Sequence, residues 1–307
     1  MSSLSIVTTL YNSQNYIDDF YKRSIDSAEK DFDKIEIIFV NDASPDNSLS
    51  KCKQLFLRDR RIKIIDLAIN AGHHKAVMTG LKYASNDYVW LIDIDLEESP
   101  EWLNLFYEEL KKSNYDVIYG EQLTRKGDIF EVITGKLFFS FMKYNSYAKF
   151  QNNATTARIM TKRYVEKLCE FREYYPILNG LWSITGFDQK SILVKKLSHS
   201  KTTYKVSHKF QLALEAILSF SSTPIKLLAY TGLLSIIISF IVLLILIISY
   251  FSKDSVIVGW TSIVGSIWFF GGLITASIAL IGVYVIKIYT EVKQRPYTII
   301  KEIIQQE

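Results

Sequence analysis

The stretch YVWLIDIDLEESPEW (Tyr88 to Trp102) is an apolar run that ends in a row of carboxylates. At the two-residue period of a strand, Tyr88, Trp90, Ile92, Ile94 and Leu96 face one way, and Val89, Leu91, Asp93, Asp95 and Glu97 face the other. A strand apolar on both faces belongs at the centre of a covered parallel sheet. The polar end of such a strand is where a parallel sheet opens to ligand. Asp93, Asp95 and Glu97 on one face there repel one another unless a cation lies between them.

Around this stretch, strand-like runs recur at LSIVTTLY (Leu4 to Tyr11), KIEIIFVN (Lys34 to Asn41), IKIIDLA (Ile62 to Ala68) and DVIYGEQ (Asp116 to Gln122), separated by helix-length segments. The alternation predicts an α/β fold with a doubly wound, mostly parallel sheet. In NDASPDNS, Ser44 reads as a helix N-cap with Pro45 at the first helical position, and Ser99 with Pro100 repeats the pattern. No P-loop or GxGxxG pattern is present, which argues against a P-loop or dinucleotide-binding enzyme. Cys52 and Cys169 are too few for a disulfide framework or a cysteine zinc site. His73 and His74 are adjacent on a helix, point in different directions and lack companions for a metal site.

The second half of the 307-residue chain has a different character. Leu227 to Phe251 and about Ile257 to Ile286 are uncharged and exceed the roughly 20 residues needed to cross a bilayer. They predict a transmembrane hairpin. Lys226 precedes it, and Lys287, Lys293, Arg295 and Lys301 follow, so the positive-inside rule puts both ends in the cytoplasm. The net charge is only +4, but no acid occurs between Asp188 and Glu215, where Lys190, Lys195, Lys196, Lys201, Lys205 and Lys209 gather. Such a stretch beside a membrane attracts anionic headgroups. KFQLALEAILSFSSTP then suits an amphipathic helix in the interface. The polar start, MSSLS, predicts no cleavable signal peptide and a cytosolic front end. The expected organisation is a cytosolic domain over 1–205, an interfacial helix over 206–224, two membrane helices within 225–290 and a cytosolic tail over 291–307.

Carboxylates at a strand end suit a hard divalent ion, Mg²⁺ or Mn²⁺, held by one or two acids plus substrate phosphates. That combination fits a nucleotide diphosphate. Asp42, at the end of a neighbouring strand, suits either a hydrogen bond from a base N–H or ribose hydroxyl, or a turn and capping role.

The ordered set SIVTTLYN, IEIIFVNDASPDNS, NAGHHKAVMTGL and DYVWLIDIDLEESPEWL, then TARIMTKR, GLWSITGFDQ and LALEAILSFSSTPIKLLAYTGLL, resembles family 2 glycosyltransferases of the polyprenyl-phosphate type, which include dolichyl-phosphate mannose synthases and bactoprenol glucosyltransferases. The resemblance implies a GT-A sheet and an inverting transfer of a hexose at the cytoplasmic membrane, from a UDP-sugar or related nucleotide sugar to undecaprenyl phosphate, in cell-surface polysaccharide modification. It places Thr9, Tyr11, Asp42 and Asp93 at the nucleotide and Asp95 and Glu97 at the metal. Arg125, Lys136 and Arg158 fall near phosphates, and Asp93, Asp95, Arg125 and Arg158 make up the implied catalytic set. The implied partners are the nucleotide-sugar donor, the polyprenyl-phosphate acceptor, the bilayer and further copies of the chain in a homo-oligomer, with no nucleic acid.

Three positions depart from the family pattern. Thr156 stands where many relatives carry an acid, Asn179 replaces a frequent Arg, and Thr203 a frequent Lys. A hydroxyl acceptor needs a base, whereas a phosphate monoester, with a second pKa of about 6, is already ionised at neutral pH. Two other readings stay open: transfer to a hydroxyl of a lipid-linked glycan, with a base from Glu121, Asp128, Glu131 or Asp188, and a membrane-anchored nucleotide-sugar-binding protein without catalysis.

Overall fold

A computed structural model of the chain describes residues 2–122, 129–148, 150–151, 153–197, 206–251 and 259–306. The chain divides into two compact units, Met1–Ala213 with Arg295–Glu307, and Leu214–Gln294.

The first unit is built on an eight-stranded sheet. Its parallel centre comprises β1 (Ser3–Leu10), β2 (Lys34–Asn41), β3 (Ile62–Leu67) and β4 (Tyr88–Leu91), joined by α1 (Ile17–Ala28), α2 (Ser48–Arg58) and α3 (His73–Lys82). β2 and then β3 lie to one side of β1 and β4 to the other. The order of strands therefore reverses at β1, and the crevice beyond the carboxyl ends of β1 and β4 is the switch point where such sheets take ligand. Leu4, Ile6, Val7, Ile37, Ile38, Ile64 and Ile65 are buried on both faces of these strands, and each such side chain stabilises the fold by about 1.5–3 kcal/mol.

After α4 (Trp102–Lys112) come β5 (Val117–Gln122), α5 (Ile129–Asn145), β6 (Ala154–Thr161), α6 (Lys162–Leu168), α7 (Leu178–Ile184) and β7 (Gln189–Val194). β6 is inserted between β4 and β5, antiparallel to both, and β7 runs parallel to β5. The sheet is accordingly mixed, with a reversed strand on each side of the parallel centre. The far edge is β8 (Ile300–Ile304), antiparallel to β3. The 291–307 stretch, expected as a tail, thus ends as a strand of the first unit, secured by Ala68 N to Ile299 O at 2.8 Å and Lys53 to Glu302 at 2.9 Å.

Two local expectations are corrected. β4 stops at Leu91; Ile92 N still bonds to Val7 O at 3.2 Å, after which Asp93 to Ser99 leave the sheet as turns. The acids therefore lie in a loop, not along one strand face, because carboxylates cannot continue into covered sheet without partners. The helix starts also lie further on. α2 begins at Ser48, and Ser44 instead accepts Asn12 N at 2.8 Å and donates to Asp46 at 2.6 Å. Asp46 in turn accepts Gln14 N and Ser48 N, both at 3.0 Å, lacing the loop after β1 to the loop after β2. Although burial alone would raise it, these bonds hold the Asp46 carboxyl down to about 2. α4 begins at Trp102, and the Ser99 hydroxyl and Glu101 meet Arg23 on α1.

α8 (Val206–Phe220) leads into the second unit, which contains α9 (Thr223–Phe251) and α10 (Trp260–Val292). Among the described residues one segment, Phe269–Val292, is long and apolar enough to cross a membrane, with a mean hydropathy of 2.2. Its Lys287 ammonium is satisfied inside the unit, donating to Ser219 Oγ at 2.9 Å and Glu215 O at 3.4 Å.

α3 lies against β1 and β2 at the closest possible approach. A Cβ on Gly80 would stand 2.6 Å from Val7 Cγ1 and 2.8 Å from Val40 Cγ2. Gly80→Ala is expected to displace α3 and destabilise the protein by about 1–3 kcal/mol. An unchanged denaturation midpoint would show that the contact is slack.

Candidate functional site

Three of the strand ends that meet at the crevice are followed by non-glycine residues with left-handed backbone: Asn12 (φ 54°) after β1, Ala43 (φ 49°) after β2 and Leu96 (φ 58°) after β4. For a residue as bulky as Leu this costs on the order of 1–3 kcal/mol, and such strain clusters at functional sites. At Leu96 it accompanies a turn that brings Glu97 N onto Asp95 Oδ1 at 3.0 Å.

Asp42, just past β2, is 3% exposed. Its Oδ1 accepts Ala71 N at 2.6 Å and its Oδ2 accepts Gly72 N at 3.0 Å, while Asn70 Nδ2 donates to its carbonyl at 3.1 Å. Burial raises its pKa despite those two amides. Asp42 thereby fixes the NAG turn, in which Gly72 adopts φ 91°, a backbone suited to glycine, and so sets where α3 begins.

The first residue of α3, His73, faces the crevice. Its Nδ1 lies 3.2 Å from Thr9 Oγ1 at the end of β1, and its Nε2 lies 3.7 Å from Asp93 Oδ1. His74 points elsewhere, with Nδ1 3.0 Å from Pro176 O. The other oxygen of Asp93, Oδ2, accepts the Thr156 hydroxyl of β6 at 2.8 Å. Tyr11, 53% exposed, stands at the rim beyond Thr9.

Behind Asp93 sits Glu98, 1% exposed, which accepts Thr156 N at 3.1 Å and Ala157 N at 2.7 Å. Lys196, beyond β7, reaches Glu97 at 3.3 Å and Glu98 at 3.5 Å, and Leu197 N bonds to Glu97 O at 2.8 Å. One ammonium thus serves a group of four acids. The Glu98 carboxyl is pushed up by burial and then by the Asp93 charge. Lys196 is also pushed up: burial opposes this, but Glu98, Asp93, Asp95 and Glu97 together outweigh it. Asp95 is raised by burial first and by Asp93 next. Among the described residues its Oδ2 accepts no hydrogen bond. Asp95 and Glu97 offer hard oxygen donors with excess negative charge, which fits a divalent ion. No three His, Cys, Asp or Glu side chains converge as a complete ligand set among the described residues.

The basic residues are less concentrated. Arg158 on β6 is wholly buried, stacked 3.0 Å from the Trp182 ring centroid of α7, with Nη2 donating to Thr155 O at 3.1 Å and Nη1 unpaired. Lys136 is exposed on α5. Arg125, Asp128 and Thr203 lie outside the described residues. Asn179 clasps the Gln151 backbone, accepting its N–H at 3.0 Å and donating to its carbonyl at 3.1 Å, so this departure from the pattern serves local structure. His73, Glu98 and Lys196 are the site residues that the sequence reading missed. Glu98 adjoins Glu97 in one acidic run, Lys196 belongs to a basic run that suits a membrane surface, and His73 reads from sequence as part of a helix start near the nucleotide without a contact of its own.

Residues 5–169 match the family model described as Glycosyl transferase family 2. A chain of Mycobacterium tuberculosis, provisionally named a glycosyltransferase, is 40% identical over 300 residues, 98% of this chain and 88% of that protein. YkcC of Bacillus subtilis, named an uncharacterized glycosyltransferase, is 30% identical over 97% of this chain and 93% of its own length. The SfII prophage-derived bactoprenol glucosyl transferase of Shigella flexneri is 29% identical over 97% of each chain.

Removing the Glu98 carboxylate leaves the Thr156 and Ala157 amides buried without an acceptor. Glu98→Ala is expected to cost about 1–3 kcal/mol, and Glu98→Gln less, because one amide keeps its partner. Chemical denaturation of the two variants checks the order; equal losses would mean that packing, not acceptance, is the contribution of Glu98.

Proposed function

The chain belongs to glycosyl transferase family 2 and is a glycosyltransferase; on that premise we propose that it is a membrane-bound inverting enzyme that moves a hexose from a UDP-sugar to undecaprenyl phosphate. The observation that carries the reading is Asp95, with one carboxylate oxygen uncommitted, beside Glu97 at the β1/β4 switch point. Similarity to a bactoprenol glucosyl transferase along nearly the whole chain supports the lipid-phosphate acceptor.

Thr9, Tyr11, Asp42 and Asp93 form the nucleotide pocket. Each Asp42 oxygen keeps a second lone pair beyond the amide it accepts, which suits a base N–H, and Asp93 is placed to accept a ribose hydroxyl. Asp95 and Glu97 would hold Mg²⁺ or Mn²⁺, which stabilises charge on the departing diphosphate when bound. Lys196, already beside Glu97, adds positive charge on the same side. Lys136, exposed on α5, and Arg125 are the proposed phosphate contacts, whereas Arg158, wholly buried against Trp182, would support the site from behind without touching a phosphate. No residue has to remove a proton, because the acceptor arrives as a dianion and attacks the anomeric carbon directly.

Chain continuity supports the reading of a membrane hairpin. The first unit contains both 1–213 and 295–307, and β8 pairs with β3. Whatever crosses the bilayer between them must cross back. If Phe269–Val292 spans, the 29-residue α9 before it must span as well, and its length of about 43 Å allows this. Both ends then lie on the cytoplasmic side with the catalytic unit. A homo-oligomer belongs to the same reading.

Three outcomes test this. Asp95→Ala is expected to abolish transfer in a donor-by-acceptor assay on membranes, and EDTA to do the same to the unaltered enzyme; full activity in EDTA would end the metal assignment. With acceptor below saturation, activity is expected to fall as pH drops through about 6, as the lipid phosphate takes up a proton. A flat profile, or a product with a sugar-to-sugar bond, would point to the hydroxyl-acceptor reading. Finally, Ser255→Cys in the link between the helices should react with a membrane-impermeant thiol reagent from outside intact cells, whereas Gln305→Cys should not.

A further inference from the structure

Asp93 is held from both sides by residues that no family pattern used above assigns. We propose that His73 and Thr156 are positioning residues of the donor site, clamping the two oxygens of Asp93, and that the buried carboxylates of Asp42 and Glu98 set the clamp. The inference rests on the reading of Asp93 as a nucleotide contact.

Both arms are built alike. In the first, Asp42 accepts the consecutive amides of Ala71 and Gly72, at 2.6 and 3.0 Å, and so fixes the residue that follows them, His73. A neutral imidazole with its proton on Nε2 accepts the Thr9 hydroxyl at Nδ1 and presents a donor to Asp93 Oδ1. In the second arm, Glu98 accepts the consecutive amides of Thr156 and Ala157, at 3.1 and 2.7 Å, and so fixes the Thr156 side chain, whose hydroxyl donates to Asp93 Oδ2 at 2.8 Å. Each arm thus spends an almost fully buried carboxylate on backbone and presents a neutral donor to the site.

The arrangement also gives Thr156 a role. An acid at that position would set a second carboxylate against Asp93, whereas the hydroxyl donates to it. Asp93 is left oriented toward the crevice, with side-chain exposure of 25%. A misplacement of about 1 Å at such a contact is enough to lose binding or rate by a large factor.

The test is a double-mutant cycle in the full-length protein in detergent, with UDP affinity measured by calorimetry, turnover measured in parallel, and thermal melting used to confirm folding. His73→Leu and Thr156→Val are each expected to weaken UDP binding about tenfold, while His73→Gln, which keeps a donor near the Nε2 position, and Thr156→Ser stay within about threefold of the unaltered protein. In an Asp93→Ala background, His73→Leu and Thr156→Val should add nothing. Equal losses in both backgrounds, or equal losses for Leu and Gln at position 73, would overturn the proposal, because His73 would then act on its own or merely fill space. If Asp93→Ala leaves UDP affinity intact, the nucleotide role of Asp93 fails instead; the same cycle is then read in kcat, where non-additivity upholds the clamp and additivity refutes it.

Discussion

Like charges gathered at the mouth of a parallel sheet repel, and the first unit is organised around how each of its carboxylates is held. At an effective dielectric constant of about 20, two charges about 4 Å apart interact by about 4 kcal/mol, comparable with a large share of a domain's net stability. Asp42 and Glu98 meet the constraint by burial against pairs of backbone amides. Asp93 meets it with the Thr156 hydroxyl at 2.8 Å on one oxygen and the His73 imidazole 3.7 Å from the other. Asp95 and Glu97 lie beside the ammonium of Lys196, which reaches Glu97 at 3.3 Å. The graded solution separates acids that shape the backbone from acids that face a substrate, although all five are carboxylates within a few residues of a strand end.

The same sheet depends on the far end of the chain. Because β8 completes the edge beside β3, the catalytic unit closes only after the chain has passed through α9 and α10. The parallel centre is continuous in sequence, but its last edge is supplied by residues that follow the apolar segments. Completion of that edge therefore waits on residues that follow α9 and α10 in the chain. An unpaired β3 edge would otherwise present the row of open amides and carbonyls that favours aggregation.

The parallel strands were legible because their apolar residues are continuous: LSIVTTLY and KIEIIFVN can be little else. β6 was not, since ATTARIMT mixes Thr155, Thr156 and Arg158 with apolar residues and its buried Arg is stabilised by a ring on α7 far along the chain. β8 was hidden by its position, because five residues after a long apolar segment look like a tail until their partner is known. Helix starts were misjudged at Ser44 and Ser99 for one reason: both residues bond across to neighbouring loops instead of capping the helix that follows. At the site, residue types at strand ends identified Asp42, Asp93, Asp95 and Glu97, but not how they differ. That difference is set by amides at 71–72 and 156–157, and backbone donors leave no mark in a sequence.

Thr156 shows how such hidden geometry bears on chemistry. Read alone, a hydroxyl in place of an acid looks like the loss of a base. In the fold, the Thr156 amide is held by one carboxylate, Glu98, and its hydroxyl by another, Asp93. Glu98 is 1% exposed and faces backbone, accepting the Thr156 and Ala157 amides with Lys196 beside it. Asp93 accepts the Thr156 hydroxyl on Oδ2, and His73 Nε2 lies 3.7 Å from its Oδ1. At this position, then, the side chain that replaces an acid is tied into the fold through both its amide and its hydroxyl, and what looks like a missing carboxylate is a donor to one that is present.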